Sequence, residues 1–412
     1  MRAFRAILSH PGAAAMSAAA FVGRLPMAML GLALTLLVVG QTGSYASAGA
    51  VAASVTLAGA VGGPIGARLA DRHGQHRVLP VLIVLHVAAV TALTTAVLAG
   101  TPSALWLALG TAAGLTGPNL GAMVRARWAG LAGTPDELTS AFALESTLDE
   151  VAFVVGPPLA TALAVSVAPW SAIAAAMLLA LSGALALAAQ RATQPPAVAR
   201  EEHAGPPLLR SATLRILTLL LLLMGAVFGA IEVATVAYAQ ERGAVSATGW
   251  LLGLFALSSG LTGLYLGARP GRWSLAAQLL VGTAALTIAA ASLPLLDRVA
   301  VYAVGMFASG LGVSAVLIGS LQIIERAVPR GRLTESLAVA IAGIQVGFAA
   351  AAAVAGSLID RGGSSWGLAV GSAAAAAGLL LALTARRHLV RAEAGPVRAV
   401  TAADLPRVTP GS

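Results

Sequence analysis

The sequence predicts an all-α membrane protein: twelve transmembrane helices in two pseudo-symmetric six-helix bundles. Three observations carry that expectation. Of the 412 residues, 58% are apolar, about 240 in all, which is what twelve spans of roughly 20 residues require. Charged residues make up only 10% of the chain and fall between long apolar runs. The basic residues also keep to alternate loops, as the positive-inside rule demands of a chain that crosses an even number of times.

Apolar helical runs can be placed at 14–42, 46–68, 78–100, 104–124, 140–165 and 170–190, which makes residues 1–190 the first bundle. A cytoplasmic linker is expected at 191–212, where Pro195, Pro196, Glu201, Glu202, Pro206 and Pro207 give a composition that neither inserts nor packs. Six further runs follow at 213–238, 246–267, 274–296, 299–324, 333–358 and 365–385, the second bundle of 213–385. Residues 386–412 are expected to form a cytoplasmic tail. With both termini in the cytoplasm, 21 of the 25 basic residues, all of them arginine, lie on the cytoplasmic side. Arg242, Arg298 and Arg361 lie opposite, and Arg24 stands inside the first span. The N-terminal apolar run continues past the length of a cleaved leader and is read as a first span.

The halves echo each other. Leu138-Thr139, Glu150 and Phe153 align at an offset of 195 with Leu333-Thr334, Gln345 and Phe348, and Gly66-Ala67-Arg68 aligns with Gly267-Ala268-Arg269 at 201. Duplicated bundles place a substrate site at their interface near the bilayer midplane.

Much chemistry is excluded. The net charge of +9 would suit nucleic acid, but arginines scattered between apolar runs form no binding stripe. Zero cysteines remove disulfides and thiol catalysis, and the six histidines show no metal-binding spacing. Without any lysine there is no phosphate-binding loop of the Gly-x-x-x-x-Gly-Lys type. No cofactor, metal or enzymatic activity is therefore expected.

Between the second and third spans stands Gly66-Ala67-Arg68-Leu69-Ala70-Asp71-Arg72-His73-Gly74-Gln75-His76-Arg77. Gly74 permits a tight turn. Asp71, at a helix end, can accept hydrogen bonds from the N-terminal amides of a helix in the other half, where the dipole favours a carboxylate. With its glycine, Asp-Arg, glycine and basic residues, this loop resembles that of the major facilitator superfamily. The resemblance implies that Asp71, Arg72, Gly74 and Arg77 form a cytoplasmic gate. Its partner would be the eleventh span, beginning near Leu333 and Thr334, with Arg125 or Arg127 neutralising Asp71.

The remaining candidates are intramembrane charges, which are costly and therefore usually functional. Glu232 is the sharpest, deep in the seventh span with no basic residue within a turn. It should be neutral, paired across the bundle or facing a wet cavity. In the fifth span Glu145 and Asp149 share a helix face, so that one or both hold a proton or an arginine sits between them; Glu150 follows. Arg24 has three uses open to it: binding an anionic substrate, pairing with Asp149 or Glu150, or reaching the headgroups. His86, Asn119, Gln41 and Gln345 are polar positions that either line a pathway or join helices. Gly156-Pro157 is similar to the fifth-span signature of the superfamily's drug/proton antiporters, in which small residues and a bend allow close packing.

The expected function is a secondary transporter of the cytoplasmic membrane that moves a small organic substrate by alternating access, working as a monomer. Efflux of that substrate by proton antiport is expected, through Glu232 with Asp149 or Glu150 second. A proton symporter for a sugar, carboxylate or amino-acid-like solute is the alternative, and a non-transporting receptor of the same fold the remote one.

Overall fold

A computed structural model of the chain describes residues 2–196, 211–269, 271–328 and 332–393. Most of the expected linker and residues 394–412 of the expected tail lie outside the described residues. Among those described there is helix but no strand, as expected where an apolar surround forces each backbone group to be satisfied within its own segment.

In chain order the helices are α1 (Arg2–Leu8), α2 (Ala13–Thr42), α3 (Tyr45–His73), α4 (Gln75–Leu98), α5 (Ser103–Thr116), α6 (Leu120–Leu131), α7 (Pro135–Ser166) and α8 (Ser171–Ala189). After the linker come α9 (Ala212–Glu241), α10 (Thr248–Ala268), α11 (Leu275–Ser292), α12 (Val299–Gly310), α13 (Val313–Ala327), α14 (Leu333–Gly362), α15 (Ser364–Thr384) and α16 (Arg386–Glu393). Among the described residues, eleven segments are long and apolar enough to cross a membrane, with α12 and α13 counted as one. The expected fourth span at 104–124 differs: it is broken into α5 and α6 at Gly117-Pro118-Asn119. Pro118 has no amide hydrogen to continue a helix. Asn119 then restarts one, its side chain accepting from the Ala122 amide at 3.0 Å. Gly312, in the break between α12 and α13, lies 195 positions after Gly117, the offset that also relates Leu138-Thr139 to Leu333-Thr334.

Packing separates along the sequence. The buried members of one apolar core run from Leu214 to Leu389, with Tyr45 of α3 packed against them. Two others draw on residues from Ile7 to Ala188, joined by Val236 of α9. The outer surface is apolar too: Leu178 and Val304 are each 67% exposed and Ile288 72%, as suits a surface bathed in lipid. With no hydrophobic drive between apolar helices, close approach depends on small residues. A methyl group added at Gly183 of α8 would lie 2.2 Å from the Gly23 nitrogen of α2, and one at Gly229 of α9 2.1 Å from the Phe348 carbonyl oxygen of α14.

Two ends can be distinguished. The terminal face gathers the ends of α2, α9 and α16 with the α3–α4 turn, and the far face gathers the α2–α3, α9–α10 and α14–α15 turns. α7 starts at the terminal face earlier than apolarity alone indicates. Thr134 accepts from the Glu137 amide at 3.2 Å and Pro135 occupies the first turn, a start set by capping and not by burial. α7 is continuous through Gly156, Pro157 and Pro158. The expected tail likewise opens with a helix, α16, anchored by buried Leu389.

Candidate functional site

Four charges meet inside the first half. Arg24 of α2 is 4% exposed and Glu145 of α7 fully buried. Arg24 Nη2 donates to Glu145 Oε2, and Nη1 donates to Asp149 Oδ1 at 2.8 Å. Arg125 of α6 donates to Asp149 Oδ2 at 2.8 Å. Glu145 Oε1 accepts from Ser17 Oγ at 2.7 Å and Trp128 Nε1 at 2.8 Å. Two arginines thus balance two carboxylates, and the like charges at Glu145 and Asp149 are separated by an arginine. At 1.5 Å per residue, Arg24 lies about 16 Å along α2 from its terminal-face end. The interactions tie α2, α6 and α7 into one unit. Arg24 pairs with Glu145 and Asp149, not with Glu150, and each of its three side-chain nitrogens makes a hydrogen bond.

Two other carboxylates face the opposite half instead. Glu232 of α9 points at Gly31 of α2, where an added methyl group would lie 2.7 Å from Glu232 Oε1. That oxygen is enclosed and has no hydrogen-bond partner, yet the side chain as a whole is partly exposed. Glu150 of α7 similarly faces Gly260 of α10, at 3.2 Å from an added methyl group. Neither carboxylate has an ion-pair partner among the described residues. Gly156 packs on Ala28 of α2, and the Pro157 carbonyl meets Gly249 of α10. The second of these is a contact between halves.

At the terminal face, Gly74 makes the one-residue turn between α3 and α4 with φ +88°, which an L side chain rarely tolerates. Asp71, Arg72 and Arg77 are exposed. Asp71 forms no hydrogen bond or ion pair with any described residue, including the first amides of α14. The expected neutralising arginines are engaged elsewhere. Arg125 is taken by Asp149, a closer acid on the neighbouring helix. Arg127 is fully buried and donates to Gln75 Oε1, the Gln190 carbonyl and Thr193 Oγ1 at 2.8, 2.7 and 2.8 Å, which joins α4, α6 and the end of α8.

The latch that is made lies at the far face, and the sequence reading did not find it. Asp360, near the C-terminal end of α14, receives hydrogen bonds from Ser44 Oγ at 2.9 Å and from the Tyr45 and Ala46 amides at 2.7 and 3.0 Å. It caps the N-terminus of α3, where a carboxylate is favoured. Tyr45 Oη also donates to Gln240 Oε1 of α9 at 2.6 Å. These four side-chain hydrogen bonds connect the first half to the second. Below them, added methyl groups at Gly49 and Gly356 would lie 2.2 Å from the Ala352 and Tyr45 carbonyl oxygens. The signals available were Asp360 at a span end and the Gly43-Ser44 pair before α3. His86 serves packing, its Nδ1 donating to the Ala113 carbonyl at 2.8 Å, and Asn119 is a helix cap.

The family model described as Major Facilitator Superfamily matches residues 16–297, more than half of the chain. The chain belongs to the Major Facilitator Superfamily. Solved superfamily-like folds agree. The nucleoside transporter NupG is 14% identical with a TM-score of 0.70, covering 92% of this chain and 99% of that one. A D-xylose–proton symporter is 13% identical with a TM-score of 0.65, covering 90% and 96%. A bacterial homologue of the iron transporter ferroportin, in an inward-facing state, is 17% identical with a TM-score of 0.64, covering 90% and 98%. Identities this low show the fold alone. No curated protein sequence matches the chain. This superfamily member is a multi-pass membrane protein, and family and fold point to a transporter.

Two outcomes follow from the geometry. Arg24→Ala and Glu145→Ala should each destabilise the purified protein by about 3–5 kcal/mol, because each strands a buried charge; thermal unfolding of the double variant should show a loss clearly smaller than the two combined. Asp360→Ala should open the far face. The chain has no native cysteine, so an Ala353→Cys reporter between α3 and α14 should be labelled several-fold faster when Asp360 is also replaced.

Proposed function

We propose that this protein is a proton-coupled secondary transporter that exports a small organic molecule by antiport. The observation that carries the reading is Glu232: a partly exposed carboxyl without a partner among the described residues, set where α9 meets α2 across the halves. An unpaired carboxylate costs about 2.5–3.5 kcal/mol at mid-helix on insertion scales. A proton removes that cost in one conformation and water or substrate removes it in another, so the proton gradient biases the equilibrium between them. Glu150, facing α10, is the second candidate. The Arg24–Glu145–Asp149–Arg125 set is assigned to holding the first bundle together, and Gly156-Pro157 favours the export direction.

The reading includes the finer layout. Helices α5 and α6 together make the fourth crossing and bring the total to twelve, the two runs of six form separate bundles, and the arginine bias favours a cytoplasmic terminal face. The bonds at the far face and the unengaged Asp71 then correspond to an inward-facing conformation. In the opposite conformation Asp71 would take up the first turn of α14 as the Asp360 latch parts. Binding and release need only one chain.

In proteoliposomes enclosing a pH dye, an exported substrate should drive proton flux of opposite sign, and Glu232→Gln should reduce that flux at least tenfold. Flux in the same direction as the solute would establish symport instead. Flux undiminished in Glu232→Gln would remove the residue from coupling.

A further inference from the structure

The arginines of the last helix have no role in the transport reading. α16 lies across the terminal face with two opposed faces. Towards the protein, Leu389 is buried. His388 Nε2 lies 2.9 Å from Thr213 Oγ1 at the start of α9. Glu393 accepts from the Leu275 and Ala276 amides at 2.7 and 3.1 Å, capping α11. Away from the protein, Arg386, Arg387, Val390 and Arg391 are all exposed and share one side of the helix, as residues one turn apart must. None of the three arginines has a hydrogen bond or ion pair with a described residue. Val390, 50% exposed, stands among them.

We propose that α16 is a docking surface for anionic phospholipid headgroups. It holds the position such a surface needs, at the ends of α9, α11 and α15 where the apolar spans give way to polar sequence. Three unpaired arginines beside an exposed aliphatic side chain match the chemistry of the boundary between headgroup and acyl chain, with phosphate contacts outside and apolar contact beneath. Basic residues next to a span are drawn to anionic lipid for this reason. Arginine is the suited cation, since its planar fork can grip a phosphate with two hydrogen bonds. The inner face of α16 is fixed by Leu389, His388 and Glu393, so the arginines are presented by a helix already in place. Lipid held there would steady the starts of α9 and α11 through Thr213 and the amides that Glu393 caps. The inference does not depend on what is transported or on its coupling.

The test uses the full chain in mild detergent. Thermal unfolding would be followed on adding phosphatidylglycerol, phosphatidylcholine or inorganic phosphate, for the wild type, for R386Q/R387Q/R391Q and for a charge-matched control, R5Q/R68Q/R326Q, in which Arg5 of α1 is likewise exposed. Arg68 and Arg326 are exposed on the same face. Phosphatidylglycerol should raise the midpoint of the wild type and the control by several degrees, with little effect from the other two additives. The triple variant should lose most of that gain. Native mass spectrometry should show bound phosphatidylglycerol falling in the triple variant alone. An undiminished gain in the triple variant, an equal loss in the control, no gain in the wild type, or full reproduction by inorganic phosphate would each overturn the proposal.

Discussion

A charge inside an apolar bundle must be paired, be neutral or touch water. The rest of this structure depends on that constraint, which divides the intramembrane ions into two groups. Arg24, Arg125, Glu145 and Asp149 satisfy it among themselves, completed by Ser17 and Trp128. Fully compensated, they make good fasteners and poor switches, since any change of protonation would leave a partner stranded. Glu232 and Glu150 do not satisfy it within their own half. Each faces a glycine of the other half, so any movement between the halves would change its surroundings. A carboxyl that senses the position of one bundle against another is the kind that can couple a proton to a conformational step.

The contacts between halves are polarised in the same way. The Asp360 cap on α3 and the Tyr45–Gln240 bond lie at the far face, while Asp71 at the other bonds to none of the described residues. Both aspartates sit near the C-terminal ends of helices, and each is suited to cap the N-terminus of the helix that packs beside its own. One is engaged and the other is not. On the proposed transport cycle, α3 and α14 would supply an exclusive pair of latches, one at each end, as alternating access between two rigid bodies requires.

The fold was largely legible because apolar run length and arginine placement are strong signals in a membrane chain. What escaped was local. The fourth span is divided because Pro118 cannot donate and Asn119 caps, a signal of two residues inside an apolar run. α7 begins at Pro135, at a capping sequence that hydropathy does not weigh. Residue types at the site were legible too, since charges in apolar runs stand out. Their partners were not: that Arg24 takes Glu145 and Asp149, or that Arg127 turns to Gln75 and Thr193 and away from Asp71, is decided by which helices touch. Asp360 escaped notice because an acid at a span end reads as solvated until its neighbour is known.

The central claim is that Glu232 exchanges a proton as the conformation changes. Infrared difference spectroscopy of the reconstituted protein, with substrate added, observes this directly through the carbonyl stretch of a protonated carboxyl. The account predicts a band in that region that changes on substrate binding and is missing from Glu232→Gln. A difference spectrum in that region identical for the wild type and Glu232→Gln would contradict it.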